Sequence, residues 1–258
     1  MEFAFSDVKD GMRREFNVDI PMDDGAVLRA DIFRPDDGER HPVIFTYGPY
    51  AKGLAFQDGY PDAWNAMCFD HPDVPYGSSN LYQSWELVDP EKWVPDGYVC
   101  LRVDSRGCGC SPGYVDHFSK RETDDMVACI AWAAEQPWSN GKVGMNGISY
   151  YSMNAWQAAS RNPPNLAAVC CWEGCGDFYR DATHHGGIMS MFWPEWYDNQ
   201  VRSVQYGLGD RGWKSRVTGQ NASGEANLTD AELAENRCMF GDMLLQNQMD
   251  GPFYRERS

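Results

Sequence analysis

Positive charge is scarce in this sequence relative to negative charge. The 258 residues include 22 Lys and Arg against 38 Asp and Glu, which gives a formal net charge of −16. A chain with this balance is repelled by phosphate backbones and by anionic membrane surfaces. We therefore expect no nucleic-acid partner and no membrane partner.

Long apolar runs are also absent. No stretch reaches the roughly 20 apolar residues that a membrane-spanning helix requires, although hydrophobic residues make up 43% of the sequence and suffice for a buried core. Residues 1–16 mix acidic and basic side chains without an apolar segment. No signal peptide is therefore predicted.

The nine cysteines lack the spacing of a metal site. No Cys-x-x-Cys pair occurs, and no histidine stands at ligand spacing beside Cys108 and Cys110 or beside Cys170 and Cys171. An odd number of cysteines, scattered through apparent strands and helices, is typical of reduced thiols, so we expect a cytoplasmic location. We expect no metal and no organic cofactor.

Apolar runs alternate with helical patterns along the first two thirds of the chain. Strands are predicted at 42–47, 98–104, 141–146 and 166–172. Helices are predicted from about Thr123 to Pro137 and from Ser149 to Arg161, and a hairpin that turns at Met22–Gly25 precedes them all. This order predicts an α/β fold with a mostly parallel sheet and helices on its faces.

The pattern changes after residue 176. We predict that residues 1–176 form the α/β core and that residues 177–258 form a helical cap or lid, because aromatic and Met residues recur at helical spacing between Ile188 and Gln205. Three aromatic side chains of the cap are candidates for lining a substrate pocket, with core packing as the alternative: Phe192, Trp193 and Trp196.

Ser149 is the candidate nucleophile. It follows a predicted strand and precedes a predicted helix, which is the setting of a nucleophile elbow. Gly147 leaves room for a sharp turn, and the backbone N–H of Tyr150 would face a developing oxyanion. The alternative is a serine that only caps the helix. Tyr151 departs from the general Gly-x-Ser-x-Gly motif, in which a second glycine stands at its position.

Several motifs, in their order and spacing, resemble one family: Asp96-Gly97-Tyr98, Asp104-Ser105-Arg106-Gly107, Glu135-Gln136-Pro137-Trp138, Gly141-Lys142-Val143-Gly144 and Gly147-Ile148-Ser149-Tyr150. From roughly Asp24 to Arg180 the chain resembles the cocaine esterase and X-Pro dipeptidyl-peptidase family, peptidase family S15, which includes α-amino acid ester hydrolases. The resemblance implies an α/β-hydrolase fold with a helical cap insertion. It also implies a serine hydrolase whose substrates are small esters, amides or short peptides.

The resemblance further implies particular site residues. The family places its serine in Gly-x-Ser-Tyr-x-Gly, which accommodates Tyr151, although Ser152 replaces the last glycine. The family also takes an oxyanion donor from a tyrosine in an Asn/Gly-Pro-Tyr-x-Lys segment, and Gly48–Lys52 fits that segment. The implied oxyanion donors are the Tyr50 hydroxyl and the Tyr150 N–H.

A serine needs a histidine base to act as a nucleophile. The chain order Ser, then acid, then His leaves His184 and His185 as candidates, with a structural or substrate-facing role as the alternative. The resemblance implies that the acid and the base follow the cap, beyond Ser258, and precede a β-sandwich. We therefore expect a C-terminally truncated chain.

Two functional alternatives stay open. A catalytically inactive fragment or pseudoenzyme would bind a ligand or partner without turning it over. Among enzymes, an acyl ester hydrolase and an X-Pro dipeptidyl-peptidase-like activity differ in the bond that is cleaved. An acidic pair that binds a substrate ammonium would favour the peptidase or an amino-ester hydrolase, and Glu173 and Glu195 are the candidates.

Overall fold

A seven-stranded sheet forms the centre of this computed structural model, which describes residues 3–258. The strands are β1 (Phe5–Lys9), β2 (Met12–Pro21), β3 (Val27–Arg34), β4 (His41–Gly48), β5 (Val99–Asp104), β6 (Ser139–Ile148) and β7 (Leu166–Trp172). They lie in the order β1-β2-β3-β5-β4-β6-β7. The first three strands pair antiparallel with one another and β3 pairs antiparallel with β5, whereas β5, β4, β6 and β7 are parallel. The predicted mostly parallel α/β sheet is thus confirmed.

The strands at the middle of the sheet come from the apolar runs of the sequence. Every residue of β5 is buried, as expected for a strand covered on both faces. Helices α4 (Lys120–Glu135) and α5 (Tyr150–Ser160) pack on one face of the sheet. Their apolar side chains join those of the strands in the main core, which includes Phe45, Leu101 and Ile130.

Short helices connect and follow the sheet. Those between β4 and β5 in the chain are α1 (Phe56–Gly59), α2 (Pro61–Asp70) and α3 (Pro90–Trp93). Those after β7 are α6 (Phe192–Trp196), α7 (Asp230–Glu235), α8 (Phe240–Gln246) and α9 (Pro252–Glu256), together with π-helical turns at Phe178–Thr183 and Tyr197–Val201 and 3₁₀ turns at Arg202–Val204 and Gly209–Arg211. Strands β8 (His184–His185) and β9 (Ile188–Met189) form a small hairpin among them.

A second core is mostly aromatic and draws on both parts of the chain. Tyr50, Phe118 and Tyr150 come from the first 176 residues, and Trp196 and Phe240 come from the later segment. This aromatic core lies beside the N-terminal end of α5. It therefore joins the later segment to the region of the candidate nucleophile.

Some element boundaries differ from those expected from the sequence. Helix α4 begins at Lys120, earlier than the expected Thr123, because the Ser119 side chain caps it by accepting the N–H of Glu122. Strand β1 was not predicted, since its charged residues carry no apolar run. The segment expected to be helical from Ile188 begins instead with strand β9.

Among residues 3–258, no helix combines the length and apolar character needed to cross a bilayer. All nine cysteines are free thiols.

Candidate active site

Ser149 lies at a sharp turn between β6 and α5. Its backbone has φ of 56° and ψ of −114°, a region that residues with a Cβ rarely adopt. Its N–H donates to the carbonyl of Trp172 on neighbouring β7 at 2.9 Å, which holds the turn against the sheet. The side chain is half-buried and makes no capping hydrogen bond to α5. The hydroxyl is therefore not used as a helix cap.

Three glycines make room around this turn. A Cβ on Gly147 would lie 2.3 Å from the Cβ and 2.4 Å from the carbonyl carbon of Tyr151, so only glycine fits. A Cβ on Gly48 would lie 2.5 Å from the Tyr151 ring, and one on Gly174 would lie 2.2 Å from Oγ of Ser152. Glycine was expected at positions 151 and 152. Tyr151 and Ser152 fit there because Gly48 and Gly174, at or just after the ends of neighbouring strands, leave room for their side chains.

Tyr50 follows β4 and packs beside the residues that come after Ser149. Its ring centroid lies 6.1 Å from that of Tyr150 and 5.7 Å from that of Tyr151. Nε1 of Trp196 donates to the Tyr50 hydroxyl oxygen at 2.9 Å, which leaves the hydroxyl proton for another acceptor. Burial raises the pKa of Tyr50 well above its usual value, so the hydroxyl stays protonated. These properties suit a hydrogen-bond donor to an oxyanion.

The backbone N–H of Tyr150 is the second candidate donor. Tyr150 is the first residue of α5. The first N–H groups of a helix have no partner within it and carry the positive end of the helix dipole. This N–H lies directly after Ser149, where a negative oxygen would develop during attack on a carbonyl.

Buried Lys52 fastens the loop that carries Tyr50. The Lys52 N–H donates to Oδ1 of Asp104 at 2.6 Å, and its ammonium donates to Oδ1 of Asn17 at 2.7 Å. The ammonium also pairs with carboxylate oxygens of Asp31 at 3.1 Å and of Asp104 at 3.4 Å. The position of Tyr50 is thereby tied to β3 and β5.

A buried hydrogen-bonded group lies behind Tyr150, and sequence reasoning missed it. The Tyr150 hydroxyl donates to Oε2 of Glu122 at 2.7 Å and lies 3.0 Å from Nδ1 of His117. The same Glu122 oxygen accepts the N–H of Phe118 at 2.7 Å. Burial raises the pKa of Glu122 to about 8 and lowers that of His117 to about 3. The Ser119-x-x-Glu122 spacing could have placed Glu122 at a helix start, but it does not pair it with Tyr150.

The Glu86 carboxyl lies near Tyr50 and Tyr151, and Glu173 lies near Glu86. Burial, and secondarily the charge of Glu86, raises the pKa of Tyr50 and of Tyr151. Burial, followed by the nearby Glu173 carboxylate, raises the pKa of Glu86 to about 8. Within residues 3–258, Oε2 of Glu86 is buried without a hydrogen-bond partner. Glu86 was not a candidate from the sequence, whereas Glu195, which was, is exposed on α6.

Nine non-glycine residues within residues 3–258 have positive φ, and several of them lie in the segments around the turn. Ala51, Glu86, Ser149 and Glu173 all have left-handed backbone, with φ between 55° and 60°. Such conformations cost about 1–3 kcal/mol each and tend to occur at functional sites. Ala51 adjoins Tyr50, Glu173 follows the strand end that accepts the N–H of Ser149, and Glu86 lies close enough for its charge to raise the pKa of Tyr50.

Neither candidate base is hydrogen-bonded to Ser149. Nδ1 of His184 lies 3.0 Å from Oγ1 of Thr183, and Nε2 of His185 lies 2.6 Å from the carbonyl oxygen of Asp181. Both histidines belong to the β8–β9 hairpin. In the part of the chain that the structure describes, no group of three or more His, Cys, Asp or Glu side chains is placed to hold a metal ion.

The three candidate pocket aromatics have different environments. Phe192 is 56% exposed, whereas Trp193 and Trp196 are buried in the aromatic core. Nε1 of Trp193 donates to the carbonyl of Ala182 at 2.6 Å, which fits core packing. Trp196 instead supports the Tyr50 hydroxyl. A pocket-lining role for these residues stays a prediction.

The site and the sheet together define a class of protein. A serine in a strained strand-to-helix turn, at the carboxyl end of an interior strand of a mostly parallel sheet, is the arrangement of the α/β-hydrolase fold. The profile of the X-Pro dipeptidyl-peptidase (S15 family) matches residues 24–258. The chain therefore belongs to the S15 family, as its motifs predicted.

Known relatives agree with this assignment. Cocaine esterase from Rhodococcus sp. (strain MB1 Bresler) is 32% identical over 177 residues, which cover 68% of this chain and 26% of that protein. A putative Xaa-Pro dipeptidyl-peptidase from Bacillus anthracis is 26% identical over 174 residues, which cover 59% of this chain and 28% of that protein. The structure of a CocE/NonD family hydrolase from Staphylococcus aureus matches with a TM-score of 0.72 and 30% identity, over 96% of this chain and 38% of that one. The α/β-hydrolase fold is thus confirmed, and this chain spans about a quarter of the length of the curated relatives.

Proposed function

We propose that this chain carries the nucleophile of a serine hydrolase that acts on ester or amide bonds through an acyl-enzyme on Ser149. The observation that carries the proposal is the left-handed backbone of Ser149 at the end of β6, with a neighbouring Gly147 that no other residue can replace. A turn of this kind presents the hydroxyl above the sheet instead of packing it beneath the helix.

In the proposed mechanism, Oγ of Ser149 attacks the carbonyl carbon and the carbonyl electron pair moves onto oxygen. The Tyr50 hydroxyl and the Tyr150 N–H stabilise that oxyanion. Its collapse expels the alcohol or amine, and water then releases the acyl group from Ser149. We propose that neither His184 nor His185 is the general base, because neither ring is hydrogen-bonded to Ser149.

Labelling with a fluorophosphonate tests this proposal. The intact gene product is expected to gain the mass of one phosphonyl group on Ser149, measured by mass spectrometry of the peptides. The Ser149→Ala variant is the matched control and should stay unlabelled. An intact product that folds but shows no labelling would support the alternative, a pseudoenzyme that only binds a ligand.

The substrate class is proposed to include compounds with a free ammonium beside the scissile carbonyl, and Glu86 and Glu173 support this choice. Burial and the nearby Glu173 carboxylate both disfavour the charged form of Glu86, and a bound cation would offset these two costs. The names of the relatives include an esterase and dipeptidyl-peptidases, so the proposed substrates are small esters, amides or short peptides.

Matched substrates test the role of the acidic pair. An α-amino acid 4-nitrophenyl ester should have a higher kcat/KM than the ester that lacks the amino group, and Glu86→Gln should reduce this preference about tenfold or more. Glu195→Gln, at an exposed position on the cap, is the control and should leave the preference unchanged. Equal kcat/KM for the two esters would favour a plain acyl ester hydrolase.

We also propose a cytoplasmic location. The nine free thiols support it, since reduced cysteines are typical of that compartment. The net charge of −16 supports the expectation that nucleic acid is not a partner.

A further inference from the structure

The Tyr150 side chain ties the nucleophile turn to the body of the protein. Tyr150 is 1% exposed, and its ring stacks on Trp196 with centroids 5.8 Å apart and lies 4.2 Å from the ring of Phe118. Its hydroxyl donates to Glu122 at 2.7 Å and lies 3.0 Å from Nδ1 of His117. The ring and the hydroxyl are thus both held.

This attachment bears on the strained conformation at Ser149. A left-handed residue persists only where its surroundings fix it. No side-chain cap fixes the start of α5, because Ser149 makes no such bond. Tyr150 is the next residue, so the packing and hydrogen bonds of its side chain fix the peptide group between positions 149 and 150. The N–H of that peptide group is the candidate oxyanion donor.

The hydrogen bond to Glu122 attaches the Tyr150 side chain to helix α4. Glu122 lies in the first turn of α4, whose start is capped by Ser119 and whose apolar face packs on the sheet. One Glu122 oxygen accepts both the Tyr150 hydroxyl and the N–H of Phe118. A carboxyl group in a dry aromatic core is costly, and an apolar side chain of similar size would pack there at lower cost.

We infer that Glu122 is a positioning residue for the oxyanion site, acting through the Tyr150 hydroxyl on the turn that holds Ser149. The inference rests on the proposed function of Ser149. Glu122 does not touch the substrate. It keeps the Tyr150 N–H aimed at the place where the oxyanion forms, so its loss lowers the rate of acylation more than the binding of substrate.

A double-mutant cycle on the intact gene product tests this role, with 4-nitrophenyl acetate as substrate and rates normalised to sites titrated by a fluorophosphonate. Tyr150→Phe and Glu122→Leu are each expected to lower kcat about 10- to 100-fold, with KM changed by less than about threefold. The double variant should be no slower than the worse single variant, because both changes break the same link. Glu122→Gln should recover most of the rate, since its amide oxygen can accept the Tyr150 hydroxyl.

Tyr254→Phe is the matched control. Tyr254 is also 1% exposed in the aromatic core, and its hydroxyl donates to the carbonyl of Asn247. This variant should lose stability towards urea but keep its kcat per titrated site. If Glu122→Leu does not fold, Tyr150→Phe still tests the link.

Two results would overturn the inference: a normal kcat in folded Tyr150→Phe, or independent losses that multiply in the double variant. Wild-type protein in which Ser149 is not labelled would instead overturn the proposed function. Labelled Ser149 with a rate insensitive to the Glu122 and Tyr150 changes would remove only the positioning role.

Discussion

At the scale of single residues, Tyr50 is both a packed aromatic residue and the proposed oxyanion donor. Its ring contacts Tyr150 and Tyr151, and its hydroxyl oxygen accepts the indole N–H of Trp196. We expect Tyr50→Phe to lower kcat about 10²- to 10³-fold, the usual effect of removing one oxyanion donor. Steady-state hydrolysis of a 4-nitrophenyl ester measures the loss.

The same substitution leaves Nε1 of Trp196 buried and unpaired, which should cost about 1–3 kcal/mol of stability. Tyr197→Phe is a matched control, because the Tyr197 hydroxyl is also buried and donates to the carbonyl of Cys238 at 2.5 Å. It should lower the urea midpoint without lowering kcat. An equal loss of kcat in both variants would argue against Tyr50 as a donor.

The raised pKa of Glu122 predicts that the stability of the protein depends on pH. That pKa is raised from an ordinary 4.5 to about 8 by burial, so the folded protein holds its proton longer than the unfolded chain does. The stabilisation from the protonated form is complete below about pH 4.5 and is lost as the pH rises towards 8. The glutamine of Glu122→Gln does not titrate, so this variant should not show the loss. Its stability relative to wild type should therefore rise by up to a few kcal/mol as the pH goes from about 5 to about 8.5.

Urea unfolding at the two pH values checks this prediction. His117 contributes in the opposite direction, because burial lowers its pKa from 6.5 to about 3 and its contribution is lost as the pH falls through that range. His117 is present in both proteins, so most of that contribution cancels in their difference. A stability difference that does not change with pH would mean that Glu122 titrates normally.

At the scale of elements, the junction of β6 and α5 depends on Gly147. A Cβ at that position would meet the backbone of Tyr151, which cannot move without shifting the first turn of α5. We expect Gly147→Ala to cost about 1–3 kcal/mol or more and to abolish labelling of Ser149. Urea unfolding and mass spectrometry measure the two effects.

Gly176→Ala is the control for this substitution. Nothing lies within 4 Å of the Cβ that it would add, so its stability should change by less than about 0.5 kcal/mol. Normal labelling of a stable Gly147→Ala protein would contradict the assigned turn.

At the scale of the whole molecule, we propose that residues 1–176 form the core and residues 177–258 a cap that folds together with it. The two parts share the aromatic core, in which Phe118 and Tyr150 pack with Trp193 and Phe240. A shared core predicts a single cooperative unfolding transition in calorimetry.

Trp193→Ala tests this coupling. It should cost about 3–5 kcal/mol and move the whole transition to lower temperature, because the ring packs against residues of both parts. Phe192→Ala, next in the chain but 56% exposed, should shift Tm only slightly. Two separate transitions, of which only one responds to Trp193→Ala, would show that the cap unfolds independently.

Much of the fold could be predicted from local sequence. Strand β7 spans the predicted residues 166–172, and β4, β5 and α5 lie within a residue or two of their predicted bounds. Continuous apolar runs and helical periodicity are local properties, so they can be read without knowing the partners. The turn at the candidate nucleophile could be predicted for the same reason, since Gly147 and Ser149 stand between a strand and a helix in the sequence itself.

What the sequence determined by itself was the order of strands and helices, the place of the turn at Ser149 and the family motifs. Only the tertiary structure decided which residues come near one another there: Glu122 bonds to Tyr150, Glu173 acts electrostatically on Glu86, and Gly48 leaves room for the Tyr151 ring. These partners are separated by 28, 87 and 103 positions, as their residue numbers show. Contacts at such separations depend on how the sheet orders its strands, which no local pattern specifies.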